Sequence, residues 1–216
     1  MLRRLFDIAF SGMLLMLASP VLLATAIAVS LDGGPVFYRQ TRAGIEGRSF
    51  AILKFRSMRP NTFTTAELAV LHGQITSPHP EVTPVGRLIR RYKIDEVPQL
   101  INVLRGEMSI VGPRPTVLEQ VQDYSPYQWR RLNVLPGLTG WAQVNGGIEY
   151  DWPERILLDV WYVEHRTPWL DAVILCRTIM VVLFGERRNP GALVKAEQYA
   201  CSQLDITNSE PVACRN

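Results

Sequence analysis

Asp95 and Glu96 are adjacent carboxylates, and Arg87, Arg90, Arg91 and Lys93 lie just upstream of them. Val97, Leu100, Ile101 and Leu104 follow i, i+3, i+4, i+7 spacing, which predicts a short amphipathic helix opening at the carboxylates. Pro98 suits its first turn. The unbonded N–H groups and positive dipole end of such a helix, beside two carboxylates and four cations, make a place for phosphate and a divalent metal. A plainer reading stays open on local grounds, because aspartate before a helix and glutamate in its first turn are ordinary caps. Gly112-Pro113-Arg114-Pro115 favours the chemical reading. Two prolines fix their own φ and each drives the preceding residue into extended backbone, so Arg114 becomes a guanidinium fork on a stiff support, suited to an oxyanion.

Two further cations and one acid join this list. Lys54 ends a predicted strand and Arg56 follows it; the alternative for Lys54 is a surface lysine with a buried stem. Arg91 shares a helix face with Arg87 by i, i+4 spacing. Asp159 falls on one face with Arg155, Tyr162 and Arg166, where it could merely pair with Arg155.

These residues need positioning elements. Thr83-Pro84 predicts a helix start with proline in the first turn, leading through Arg87, Arg90 and Arg91 towards Asp95. Val36 to Gln40 and Ser49 to Phe55 read as a hairpin about a Gly44-to-Gly47 turn, with Phe50, Ile52 and Lys54 on one face and Ala51, Leu53 and Phe55 on the other. Residues 60–81 read as an excursion that could serve as a lid, with a helical piece around Ala66 to Leu71. Ser125-Pro126 opens a helix whose Tyr127, Trp129, Arg130 and Arg131 suit a membrane interface or a solvated face equally. Pro136 to Gly147 is turn-rich. Asp151 and Glu154 form a capping-box pattern for a helix reaching about His165. Thr167-Pro168 starts a last helix to about Phe184, with Leu170, Val173, Ile174, Met180 and Val181 facing core or lipid and Trp152, Trp161 and Trp169 suiting an interface. Beyond Arg187 the chain reads as polar and aperiodic.

The N-terminus is different in kind. Ile8 to Leu31 holds 24 residues without a charge, enough for about 36 Å of helix at about 1.5 Å per residue. A signal peptide is the first alternative, but the apolar stretch is long for one and no clean cleavage site follows. Pro20 removes a backbone hydrogen bond and crowds the Met16 carbonyl, so Ser19-Pro20 predicts a kink. Arg3 and Arg4 before the segment, and Arg39, Arg42, Arg48 and Lys54 after it, place both flanks on the cytoplasmic side. A re-entrant helix bending at Ser19 and Pro20 satisfies both observations.

Composition excludes several classes. With 216 residues, 47% of them hydrophobic, the chain supports one good core. Only three of its 23 basic residues are lysine, leaving 20 arginines, a bias towards phosphates and interfaces. No nucleic-acid-binding signature accompanies it, so no nucleic-acid partner is expected. Cys176, Cys201 and Cys214 lack metal-ligand spacing or an even count, which argues for a reducing compartment and against a disulfide framework. His72, His79 and His165 show no metal-site pattern.

KFRSM (Lys54 to Met58), DEVPQLINVLRGEMS (Asp95 to Ser109), VGPRP (Val111 to Pro115) and PGLTGWAQVNG (Pro136 to Gly146), in this order behind a Ser-Pro membrane segment, closely resemble the bacterial sugar transferase family, the monotopic phosphoglycosyl transferases. The similarity runs from about Arg3 to Gly185 and the length matches the small form. Val97 stands where leucine is commoner, and Tyr92-Lys93-Ile94 replaces a usual Ser/Thr-x-Leu run. The resemblance implies a fold that is α/β but mostly helical: a re-entrant membrane helix (1–34), a catalytic domain (35–186) with a small β-hairpin and interfacial amphipathic helices round one core, and a polar tail (187–216). It implies transfer of a phosphosugar from a UDP-sugar, with an N-acetylated amino sugar favoured, to polyprenol phosphate in the cytoplasmic leaflet of the bacterial inner membrane, releasing UMP. By the same resemblance Asp95 is the nucleophile, Glu96 holds Mg²⁺, Arg114 binds phosphate, and Lys54 and Asp159 match further active-site positions, with Arg56 and Arg91 added as substrate-binding cations. A homodimer is among the open oligomeric states. A non-catalytic membrane scaffold and an aspartyl-phosphate hydrolase are the competing classes; the intact dyad argues against the first and the want of a dedicated base against the second.

Overall fold

A computed structural model describes residues 2–59 and 81–207. The predicted excursion, including Ala66 to Leu71, falls almost wholly outside these residues, as do His72, His79 and Cys214. The chain divides into two compact units, Met1–Ile110 with Pro115–Gln122, and Val111–Arg114 with Asp123–Asn216.

The first unit begins with α1 (Leu2–Leu31), a single helix that runs through Pro20. The carbonyl that proline leaves without its usual donor is met locally, because Ser19 Oγ donates to Met16 O at 2.8 Å. Most of α1 is bare: only 11% of its most apolar window is buried, and Met13, Met16, Leu17, Val21, Leu23 and Ile27 are exposed. The residues α1 does bury are mainly polar, namely Asp7, Ser11, Thr25 and Val29. Asp7 accepts from Ser109 Oγ at 2.9 Å and Ile110 N–H at 3.0 Å. Arg4, one turn earlier, donates to the carbonyls of Val103 and Leu104. At the other end Val29 packs with Phe55 and Ile89, and Leu22 and Ala26 join the same cluster. Both ends of α1 are therefore fastened to one unit. The exposed remainder has the apolar surface and length of a membrane helix.

β1 (Phe37–Ala43) and β2 (Ser49–Phe55) form an antiparallel hairpin in which Tyr38 faces Lys54 and Phe37 faces Phe55. The first strand runs three residues further than the sequence suggests, to Ala43, whose N–H donates to Thr116 O at 2.8 Å. Strict alternation fails at the end of β2: Ile52, Leu53 and Phe55 are all buried, so both faces are covered there. α2 (Pro84–Arg91) starts as predicted, with Thr83 Oγ1 accepting from Gly86 N–H at 2.9 Å. Gly86 admits no side chain, since a Cβ would stand 2.0 Å from Ser57 O. A 3-10 turn (Ile94–Gln99), α3 (Leu100–Arg105) and the short α4 (Leu118–Gln122) complete this unit, and β3 (Ser109–Val111) leads out of it.

The second unit contains α5 (Pro126–Trp129), β4 (Gly137–Thr139), α6 (Trp141–Val144), α7 (Trp152–His165), α8 (Pro168–Phe184) and α9 (Pro190–Thr207). The predicted capping box forms at Asp151/Glu154, and Ser125/Gln128 forms a second one at the predicted helix start. α7 is the core helix, burying Ile156, Leu157, Leu158, Val160 and Tyr162. α8 buries only Ile174; of the positions assigned to core or lipid, Met180 is 56% exposed and finds no core. Trp161 is stacked between Trp141 and His165, and Trp152 lies under Arg131; Trp169 is 78% exposed. The segment read as aperiodic is helical: α9 packs on α7 through Ala192, Ala196 and Ala200, a four-residue repeat of small side chains that hydropathy does not register.

Candidate active site

In the first unit the carboxylates occupy the 3-10 turn rather than the start of an α-helix. Lys93 holds the position before the turn, in the left-handed region at φ 57°, so Asp95 is not the capping residue. The 3-10 bonds, among them Glu96 N–H to Lys93 O at 3.2 Å, use donors that an α-helix would leave open. The turn therefore presents the two side chains rather than a ring of bare amides. Asp95 is 8% exposed. Glu96 Oε1 accepts from Lys54 Nζ at 2.8 Å, with both side chains more than four-fifths buried.

Lys54 reaches Glu96 because its strand is stitched to the helix behind the dyad. Asn102, fully buried in the apolar run of α3, accepts from Leu53 N–H at 3.0 Å and donates to Ala51 O at 2.8 Å and Glu107 Oε2 at 2.7 Å. Residues 51 and 53 flank Ile52, which shares its face of the strand with Lys54. An amide inside the spacing Leu-Ile-Asn-Val-Leu is the signal that sequence reading passed over: a polar group in a buried stripe must be satisfied by something specific.

Arg56 is 6% exposed and donates Nε to Pro35 O and Nη2 to Val29 O, each at 2.8 Å. What it holds in this structure is the end of α1. Arg91 is exposed, with its guanidinium 5.7 Å from the centre of the Tyr92 ring. Ser19 and Pro20 lie in mid-α1, as expected, and form no part of this cluster.

In the second unit Arg114 is exposed between buried Pro113 and Pro115. Its backbone is set by close main-chain packing: Gly112 N–H donates to Thr139 O at 2.9 Å and Gly137 N–H to Pro113 O at 2.8 Å. A Cβ at Gly137 would stand 2.0 Å from Gly112 N, so this approach requires glycine. Arg131 fastens the same loop from inside. Its Nη2 donates to Arg114 O at 2.9 Å and to Asp159 Oδ2 at 2.6 Å, its Nη1 donates to Tyr124 Oη, and the Trp152 ring centre lies 5.1 Å away.

Asp159 thus pairs with Arg131, not with Arg155, which turns to Tyr150 O. Arg131 is 2% exposed and is a core residue rather than the interface residue its aromatic neighbours suggested. Burial pushes the Asp159 carboxyl up, and the guanidiniums of Arg131, Arg155 and Arg114 oppose that rise. Burial also works against the Arg131 charge, but Asp159 and Tyr124 outweigh it and keep the guanidinium a cation. This buried charge pair sets the back of the loop that displays Arg114.

Mg²⁺ calls for carboxylate oxygens, and one or two suffice when substrate phosphates and waters complete the shell. Asp95 and Glu96 meet that minimum. Among the described residues no group of three His, Cys, Asp or Glu side chains converges, as a dedicated protein cage would need.

Comparison with known proteins agrees with the sequence motifs. Residues 1–185 match the family described as bacterial sugar transferase. The chain is 41% identical to an uncharacterised sugar transferase of Bacillus subtilis, EpsL, over 93% of this chain and 96% of that protein. It is 40% identical to an undecaprenyl-phosphate galactose phosphotransferase of Salmonella typhimurium over 84% of this chain, but only 40% of that protein. It is 38% identical to a UDP-N-acetylgalactosamine-undecaprenyl-phosphate N-acetylgalactosaminephosphotransferase of Aeromonas hydrophila, over 85% of this chain and 44% of the relative. The chain thus spans nearly all of one relative and well under half of the other two. With a matched region that includes α1, both carboxylates and the Pro-Arg-Pro loop, this chain is an enzyme of the bacterial sugar transferase family.

Proposed function

We propose that this enzyme transfers a phosphosugar from a UDP-sugar to polyprenol phosphate at the cytoplasmic face of the bacterial inner membrane. The observation that carries the reading is the Asp95-Glu96 pair on its 3-10 turn with Lys54 drawn against Glu96. Both relatives with assigned activities are named as phosphotransferases acting on undecaprenyl phosphate, which supports the acceptor class. Their sugars differ, galactose in one and N-acetylgalactosamine in the other, so an N-acetylated amino sugar is the donor proposed on resemblance alone.

Asp95 is the nucleophile in this proposal. One carboxylate oxygen attacks the β-phosphorus of the donor; the bond from that phosphorus to the bridging oxygen breaks, and UMP leaves with its electron pair. The aspartyl-phosphosugar is then attacked by a phosphate oxygen of the polyprenol phosphate, which forms the diphosphate link and returns Asp95 as a carboxylate. Glu96 would hold Mg²⁺, which when bound offsets negative charge on the donor phosphates. Lys54 holds Glu96 in place until phosphate arrives. Arg114, rigid between two prolines, is proposed to hold a phosphate oxygen.

The fastening of α1 supports a re-entrant topology. Arg4 at its start and Val29 at its end are both bonded to the first unit, and basic residues flank both ends. A helix that enters and leaves one leaflet satisfies both, so the N-terminus and catalytic residues are proposed to share the cytoplasmic side. The test is a panel of UDP-sugars incubated with enzyme, Mg²⁺ and polyprenol phosphate. UMP release that requires the lipid supports transfer. UMP without lipid-linked product supports hydrolysis, and no UMP with any donor supports a scaffold.

A further inference from the structure

A groove of about 490 Å³ opens in the second unit at the C-terminal end of α8, and it combines two features that rarely meet. Its walls are apolar, made by Val144, Met180, Val181 and Phe184, while Arg177 and Arg187 supply its charge. Arg177 is already set in place. Its guanidinium lies 5.3 Å from the centre of the Trp141 ring, and Nη1 donates to Asn145 Oδ1 at 2.7 Å. Those contacts occupy one edge of the fork; its Nε and Nη2 make no hydrogen bond among the described residues. Arg187, exposed on the rim, makes no ion pair or hydrogen bond among them either. The neighbouring Glu186 carboxylate accepts from Ile148 N–H at 2.7 Å.

The apolar wall continues along α8. Ile179 is 62%, Leu183 67% and Phe184 63% exposed, a run of large side chains that water does not favour. A second copy of the chain is a poor cover, since a two-fold contact there would bring the same two arginines towards each other. A bilayer is a good one, and α1 already brings the protein to a membrane. We infer that this groove binds the phosphate head and upper acyl chains of an anionic membrane phospholipid, giving the second unit its own attachment to the lipid surface. The preset Arg177 fork takes the phosphate oxygens, Arg187 adds rim charge, and Met180, Val181 and Phe184 line the chains. This assignment does not rest on the transfer reaction, so it stands or falls separately from it.

The test uses the full chain extracted from nanodiscs of equal phosphatidylcholine and phosphatidylglycerol, with retained lipids counted by native mass spectrometry. Wild type should retain phosphatidylglycerol in preference to phosphatidylcholine. Arg187→Gln should cut that preference about fivefold, the loss expected for one basic residue at an anionic surface, and Arg177→Gln with Arg187→Gln should erase it. Because Arg177 also supports Asn145, the single Arg187→Gln variant, at an exposed site and with its melting temperature checked, remains decisive if the double variant misfolds. Phe184→Ser should weaken retention of both lipids at this site. Absence of a phosphatidylglycerol preference in wild type, or an unchanged preference in Arg187→Gln, overturns the inference. So does displacement of the lipid by inorganic phosphate alone, which would mark a free-anion site, or by polyprenyl phosphate at equal concentration, which would make it the acceptor's seat. A dimer in detergent that Phe184→Ser converts to monomer would assign the apolar face to a second copy and also overturn it.

Discussion

Asp95 is nearly buried yet does not cap its turn, so its replacement separates chemistry from folding. Asp95→Asn keeps shape and removes the nucleophile; transfer should fall at least about a thousandfold while the melting temperature holds. Wild-type enzyme quenched with donor alone should carry one phosphosugar by intact mass, and the variant none. Activity near wild type in Asp95→Asn would remove it from the reaction. Arg131 makes the opposite case. Arg131→Met leaves Asp159 buried beside Arg155 and Arg114 without its direct partner and lets go of the Arg114 carbonyl, at a cost of about 3–5 kcal/mol. Combining it with Asp159→Leu should recover much of that loss in denaturant unfolding, because the uncompensated charge is then gone. A double variant no more stable than the single would mean that the carbonyl and Tyr124 contacts, not the charge pair, hold the loop.

Among the elements, α1 carries the sharpest conflict between length and topology. It is long enough to span, and its apolar side chains are bare, but Asp7 and Arg4 bind it at one end and Arg56 at the other. Ser19 answers the carbonyl that Pro20 frees. Replacing both by alanine restores an ordinary helical ladder, and a straight helix of this length favours crossing a hydrocarbon core of roughly 30 Å. A cysteine placed at position 2 should stay protected from an impermeant thiol reagent in intact cells, and should become partly labelled in the Ser19→Ala/Pro20→Ala variant, with lower activity. Labelling in the otherwise wild-type chain would show that α1 already spans. Asp7→Ala tests the fastening: it strands the Ile110 N–H and removes two charge-assisted bonds, an expected loss of about 2–3 kcal/mol. An unchanged unfolding midpoint would mean that water reaches that amide.

For the whole molecule, the proposed metal gives the broadest test. EDTA and Glu96→Gln should each reduce transfer on the order of a hundredfold or more, since both remove charge neutralisation from the donor phosphates. Full activity in EDTA would leave Glu96 as the partner of Lys54 alone. The C-terminal helix provides another. α9 lies beyond the residues shared with the family, yet Ala192, Ala196 and Ala200 are buried. Ending the chain at Gly185 should uncover the matching face of α7 and lower the melting temperature by several degrees, about 2–4 °C per kcal/mol for a chain of this size.

Local chemistry made the helix starts at Thr83, Ser125, Asp151 and Thr167 legible in the sequence, because a cap and its proline act within one turn. The uncharged run of α1 and the stiff Pro-Arg-Pro loop were legible for the same reason, and the ordered motifs carried the family. Tertiary structure alone decided who partners whom. Asp159 has Arg155 four residues away on its own helix, but takes Arg131 from a distant turn, since that guanidinium can also reach the Arg114 carbonyl. Arg56 looks like a site cation and anchors α1, because carbonyls at the end of that helix needed a buried donor. α9 was invisible to hydropathy because alanines pack by smallness, a property that shows only when a partner surface lies close enough to require it.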